Sequence, residues 1–241
     1  MTEVLELRQY TLHPGRREEL IELFDREFVE SQEELGISLY GQFRDLDDEE
    51  RFVWLRGFAD LPARAEALAA FYGGPVWAAH RDAANATMAD SDDVLLLRPA
   101  APDSGFDLAA GTRPPAGAEP PGSLVTVTLY HLPPGNGSAD GFAEFFLDDV
   151  RPLLAETGAE PLACLRTEPA ENNFPALPVR TGENVFAWVA AFADQDAHLE
   201  HVRLLGRSTR WTHDLLPLLT KHLARPPEQL HLNPTGRSLV R

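Results

Sequence analysis

Residues 52–60 read FVWLRGFAD, and residues 186–194 read FAWVAAFAD. Phe52, Trp54, Phe58 and Asp60 recur as Phe186, Trp188, Phe192 and Asp194, and Trp77 recurs as Trp211, all at a separation of 134 residues. Nearer the N-terminus the separation is shorter. Tyr10 and Gly15 recur as Tyr130 and Gly135 at 120, and Gly36 recurs as Gly158 at 122. A separation that holds and then grows is the mark of an internal duplication with an insertion in one copy. The insertion falls in residues 167–183 of the second copy. Whatever this chain folds into is built from one unit used twice.

The two copies are parted by residues 99–123, which hold six prolines and four glycines. That density rules out a regular helix or strand, so the segment reads as a linker. The organisation expected is therefore unit 1 at 1–98, a linker at 99–123 and unit 2 at 124–241. Within unit 1, alternation predicts a strand over 3–12, and Leu20, Phe24 and Phe28 lie at helical spacing within 16–34. Strands follow at 37–44 and 51–58, helices at 62–72 and 75–88, and a last strand at 93–98. Unit 2 repeats this with strands near 124–131, 161–166, 184–192 and 228–232. The order β-α-β-β-α-β is that of a ferredoxin-like unit. The fold class expected is α+β, with two tandem ferredoxin-like units. Helices on one face of each sheet leave its other face to meet a partner sheet, within one chain or between two.

Period-2 patterning separates the strand faces. Leu5, Leu7, Val53 and Leu55 share an aliphatic face. Glu6, Arg8 and Tyr10, with Phe52, Trp54, Arg56 and Phe58, share the other. The aliphatic face is expected under the helices, and the aromatic and charged face in the space between the sheets. Aromatic walls with a few polar groups are the make-up of a small-molecule pocket. Thr126, Thr128, Tyr130 and Trp188 occupy the corresponding face of unit 2, where Ala190 replaces Arg56. Glu6, Arg8 and Arg56 read either as a paired structural cluster or as ligand-facing groups.

The net charge of −17, without a basic run, argues against nucleic acid and anionic membranes as partners. Cys164 is the only cysteine, so no disulfide forms within the chain, and its strand context reads as core. No apolar run approaches the length of a membrane span and no signal peptide is evident, which points to the cytoplasm. Lys221 is the only lysine, a bias toward arginine that suggests a GC-rich bacterial genome.

Three stretches carry a resemblance: LRQYTLHPGR, AFYGGPVWAAHRDAANATMADSDDVLLLRP and NNFPALPVRTGENVFAWVAAF. They resemble bacterial members of the NIPSNAP family, over both copies and nearly all of the chain outside the linker. The resemblance implies the dimeric α/β-barrel superfamily. That superfamily includes cofactor-free monooxygenases, isomerases and cyclases of polyketide or aromatic metabolism, and also haem enzymes. The function expected is binding of an aromatic or polyketide-like molecule in the barrel, either by a cofactor-free enzyme or by a non-catalytic scaffold. A haem or metal enzyme is the third reading. A homodimer is expected as the assembly.

No G-x-S-x-G, Walker, dinucleotide, H-E-x-x-H or C-x-x-C motif occurs. For the enzyme reading, the catalytic candidates are Arg8, Tyr10, Arg56 and His80. Arg8 or Arg56 stabilises an enolate or phenolate, and Tyr10 or His80 moves a proton. The substrate-binding candidates are Glu6, Trp54, Phe58, Tyr130, Trp188 and Arg180. His198 and His201 are three apart, but their matches Arg64 and Ala67 read as an exposed face, so no metal or other cofactor is expected there. His80 reads as a surface or capping residue or as a functional one. The inserted loop, with Phe174, Leu177 and Val179 among prolines, reads as a lid that aims Arg180 at an anion, or as an interface.

Overall fold

The computed structural model of the protein describes residues 4–107 and 113–241. Glu3, the expected first residue of the opening strand, and linker residues 108–112 lie outside the described residues. The first half runs β1 (Val4–Leu12), α1 (Arg17–Leu23), α2 (Val29–Glu33), β2 (Ser38–Asp45), β3 (Arg51–Phe58), α3 (Leu61–Tyr72), α4 (Pro75–Asn85) and β4 (Met88–Pro99). The second runs β5 (Leu124–His131), α5 (Asn136–Phe145), α6 (Arg151–Glu156), β6 (Ala163–Thr167), β7 (Val185–Phe192), α7 (Gln195–Arg207), α8 (Leu216–Lys221) and β8 (Glu228–Pro234). Wide π-helical turns at Phe24–Phe28 and Phe146–Val150 join α1 to α2 and α5 to α6, and a third at Arg210–Leu215 leads into α8. The first two sit at equivalent places in the two halves.

The repeated stretch explains its own ending. Asp60 and Asp194 stand just before α3 and α7, and each carboxylate accepts from a helix N–H, that of Ala63 at 2.7 Å and that of Ala197 at 2.8 Å. Each copy therefore closes its third strand and caps the next helix with the same residue.

The eight strands close into one antiparallel barrel in the order β1-β3-β2-β8-β5-β7-β6-β4. Each half contributes four neighbouring strands with its first strand between its third and fourth. The halves join at two seams, β2 with β8 and β4 with β6. The barrel thus closes within a single chain.

The interior of the barrel corrects the expectation about faces. It is filled by the aliphatic set: Leu5, Leu7, Val53 and Leu55 meet Val125, Val127, Leu129 and Val189. The aromatic and charged face looks outward and is covered by the helices. Tyr10, Phe52, Trp54 and Phe58 pack with Phe24, Phe28, Leu68 and Phe71 in the first half. Tyr130, Phe186, Trp188 and Phe192 pack with Phe142, Phe146 and Leu219 in the second. The reason is geometric. Eight strands enclose an interior just wide enough for small and branched side chains. Helices standing about 10 Å off a sheet leave room for tryptophan and arginine.

Residues 113–118, in the segment between the two halves, are held rather than loose. The Arg113 guanidinium donates to the carbonyls of Leu39 and Arg237, at 2.6 and 2.7 Å. Arg237 is buried and reaches the carbonyl of Pro114 and the carboxylate of Glu30. A Cβ at Gly236 would collide with the carbonyl of Ala118, so the linker and the C-terminal segment touch where only glycine fits.

Candidate functional site

Between sheet and helices each half has a chamber, and the two are built from matching positions. In the first, the Glu6 carboxylate is the centre of a wholly buried ion cluster. Its Oε2 accepts from Arg8 Nη1 and Arg56 Nε, and its Oε1 from Arg64 Nε, each at 2.7 Å. The register makes this inevitable, because Glu6 lies directly opposite Arg56 on β3 and Arg8 is two residues further along the same face. Burial alone would raise the Glu6 carboxyl, but Arg56, Arg8 and Arg64 together hold it well below the usual carboxylate range. The Arg56 guanidinium lies 4.8 Å from the Trp54 ring centre and 5.5 Å from that of Phe58. Arg8 Nε donates to the Tyr10 hydroxyl at 2.9 Å.

Four of the residues singled out in the sequence, Glu6, Arg8, Tyr10 and Arg56, are thus brought together, with Trp54 and Phe58 against them. They meet under the helices rather than inside the barrel. Sequence reasoning missed Arg64 and Gln32. Arg64 comes from the first turn of α3, and Gln32 Oε1 accepts from Arg56 Nη1 at 3.2 Å. Little space remains: a cavity of about 30 Å³ lies among Tyr10, Gln32, Trp54, Tyr72 and Trp77.

The inserted loop closes this first chamber. Asn172 and Asn173 accept from Arg64 Nη1 at 3.1 and 2.7 Å, and Phe174 stacks on Tyr72 at 6.3 Å between ring centres. Arg180 does not face an anion site. It pairs with Glu183 and with Asp93 of β4. His80 stands half-buried on α4, with Nε2 3.4 Å from Glu27, and belongs to neither chamber wall.

The second chamber replaces every charge. Thr126 stands where Glu6 does, Thr128 for Arg8, Ala190 for Arg56, and His198 for Arg64. The outcome is an open cavity of about 380 Å³ lined by Thr126, Thr128, Tyr130, Trp188, His198 and His201, among others. The expectation that His198 and His201 lie on an exposed face is overturned, since both are buried, as are Arg64 and Ala67. The face of α3 or α7 that follows the capping aspartate turns down onto the polar side of the sheet.

His201 Nδ1 lies 3.2 Å from the carbonyl of Thr157, an acceptor only, so Nδ1 carries the proton and Nε2 is left as a base. Burial lowers the pKa of His201, and burial followed by the nearby His231 and His201 lowers that of His198. Both rings are therefore neutral at pH 7. The Tyr130 hydroxyl is pushed up to about 12 by burial and stays a phenol. Across the β2–β8 seam, His231 contacts Asp47 at 2.7 Å and stands edge-on to His198, 5.4 Å between ring centres. Burial also pushes the Cys164 thiol up to about 12, which leaves it inert. Among the described residues no three His, Cys, Asp or Glu side chains come together as metal ligands. No helix among them is long and apolar enough to cross a membrane.

The NIPSNAP family model matches residues 5–102, the segment that holds Glu6, Arg8, Arg56 and Arg64. No curated protein matches the chain. Three solved structures are similar across nearly the whole length. A "putative monooxygenase" from Lactobacillus acidophilus NCFM is 13% identical at a TM-score of 0.57, covering 97% of this chain and 94% of its own. A second "putative monooxygenase", from Fusobacterium nucleatum, is 12% identical at 0.59, with 97% and 93% covered. An "anthrone oxidase-like protein" is 12% identical at 0.59, with 98% and 92% covered. At such identities the likeness is one of fold, an α/β protein around a closed barrel. The open second chamber lies outside the segment matched as NIPSNAP.

Proposed function

We propose that the protein binds an aromatic or polyketide-like small molecule in its second chamber and moves a proton on it without a cofactor. One observation carries this reading: the position that holds an ion cluster in the segment matched as NIPSNAP is, in the second half, a cavity of about 380 Å³ walled by aromatic rings and two neutral histidines. Such a volume and lining suit a ligand of a few fused rings. The structure-level likeness to proteins named as monooxygenases and as anthrone oxidase-like fits the same chemistry. The architecture reads as a duplicated ferredoxin-like unit, with residues 1–98 and 124–241 joined by 99–123, and each half has its own helix-covered chamber.

In this reading His201 Nε2 takes a proton from the ring methylene that lies across the central ring from the ketone and is conjugated to it, and the Tyr130 hydroxyl donates to the developing enolate oxygen. Trp188 and Phe192 hold the ring plane. With dioxygen as oxidant, anthrone and one O₂ give anthraquinone and one water. The test uses anthrone as probe, with quinone formation followed by absorbance. The expected result is turnover by the wild type and at least a tenfold loss in His201→Gln with the fold intact. An inactive wild type that also fails to bind anthrone and other fused-ring ketones removes the proposal. A second reading, assembly through the helices, is favoured by the exposed Leu199, Val202, Leu216 and Leu218 on α7 and α8. A homodimer formed through that face would appear as a doubled mass in solution, and Val202→Glu would return it to monomer.

A further inference from the structure

Three guanidinium groups surround one carboxylate in the first chamber, and all four side chains are buried. The cluster carries two positive charges more than it can neutralise. Arg56 Nη2 and Arg64 Nη2 are buried with no hydrogen-bond partner. An excess of charge taken out of water is among the costliest arrangements in a protein interior. The fold does not require it. The same strands and helices close over Thr126, Ala190 and His198 in the second half, with no ion at all. A charge excess that the twin unit does without calls for a ligand that supplies the missing negative charge.

The inserted loop indicates what that ligand looks like. It offers two carboxamide oxygens, from Asn172 and Asn173, to Arg64 Nη1, and beside them an aromatic ring, Phe174, against Tyr72. Two oxygens next to a ring are the features of an aromatic carboxylate, minus its charge. The walls beyond are Trp54, Tyr72 and Trp77. The ends of the loop are tied to β4 through the backbone, Glu168 N–H to the carbonyl of Leu96 and Arg180 N–H to that of Val94, each at 2.9 Å. Its tip is held to the first half by side chains: Asn173 Nδ2 donates to the carbonyl of Leu61 at 2.6 Å, and Leu177 packs on the aromatic cluster. The tip therefore seals the chamber by side-chain contacts that can be undone while the ends of the loop stay in place.

We infer that the first chamber is an anion site for an aromatic carboxylate, with Arg56 and Arg64 as its receptors and residues 172–174 as an internal plug that occupies it. The ligand's carboxylate displaces the two asparagine oxygens from Arg64 and its ring takes the place of Phe174. This site is independent of the second chamber.

The experiment titrates benzoate, with benzamide as the uncharged isostere, into the full chain and follows tryptophan fluorescence. The proteins are the wild type, Asn172→Ala/Asn173→Ala, and that double variant carrying Arg64→Gln. The double variant is expected to bind benzoate at least tenfold more tightly than the wild type and at least tenfold more tightly than it binds benzamide. Arg64→Gln is expected to return binding to the wild-type level. Equal benzoate affinity in wild type and double variant overturns the proposal, as does equal affinity for benzoate and benzamide. Asn173→Ala alone, which removes one exposed side chain, gives the same comparison if the double variant does not fold. Binding in the second chamber survives Arg64→Gln, so the two sites are told apart.

Discussion

The two chambers occupy the same place in matching halves, yet one is filled by ions and the other is open. In the first, Glu6, Arg8, Arg56 and Arg64 hold the sheet to α3. In the second, Thr126, Thr128, Ala190 and His198 leave a cavity of about 380 Å³. Sheet, helices, π-helical turns and capping aspartates are common to both. The difference therefore lies in four side chains and in the inserted loop that closes the first chamber, and it shows that a scaffold of this kind tolerates either a buried network or a hole beneath its helices. The network costs the desolvation of its ions and the hole costs lost packing contacts, and this scaffold carries one of each.

Breaking the network is expected to have the largest effect. Glu6→Gln leaves three buried cations without their shared partner and should cost about 3–5 kcal/mol or more in urea unfolding. Thr126→Val at the matching position should stay within about 1 kcal/mol. The next test transplants the contrast. Ala190→Arg puts an unpaired cation into the second chamber, with an expected cost of about 3 kcal/mol, and adding Thr126→Glu should recover part of it in a double-mutant cycle. A fully additive pair would mean that β-strand register alone does not build the cluster.

The chambers should also part company in pH. The Glu6 pKa is lowered in the folded state, so its stabilisation is present above the unfolded value near 4.3 and is lost only as pH falls below it. His198 and His201 are bases whose pKa is also lowered. The unfolded chain takes up protons near pH 6.5 before the folded one does, so their presence erodes stability as pH falls below about 6.5. Thermal unfolding between pH 8 and 5 should show this decline, and His198→Gln/His201→Gln should flatten it. The smallest effect is expected at His80, whose half-buried ring meets Glu27 and Phe28. His80→Ala should change stability by about 0–1 kcal/mol.

Much of this is legible in the amino-acid sequence. The repeat FVWLRGFAD and FAWVAAFAD marks β3 and β7, and the alternation in LELRQY places Glu6, Arg8 and Tyr10 on one face. The growing separation between copies locates the inserted loop. The direction of that face was not legible. Period-2 patterning says which residues travel together but not which side is narrower, and the closed barrel gave the narrow side to leucine and valine. Arg64 and His201 read as exposed because α3 and α7 carry polar residues on both faces, so sequence alone does not show which one is buried.

The sequence by itself determined that one strand pattern recurs 134 residues on, where the strands run, and that Arg56 and Ala190 are the point at which the two stretches diverge, because these are matters of local pattern and spacing. Only the tertiary structure decided that the barrel closes within one chain, that the polar face lies under the helices, and that a loop from one half seals the chamber of the other. Those depend on curvature and on contacts between residues about 100 positions apart, such as Arg64 with Asn173, which no local pattern encodes.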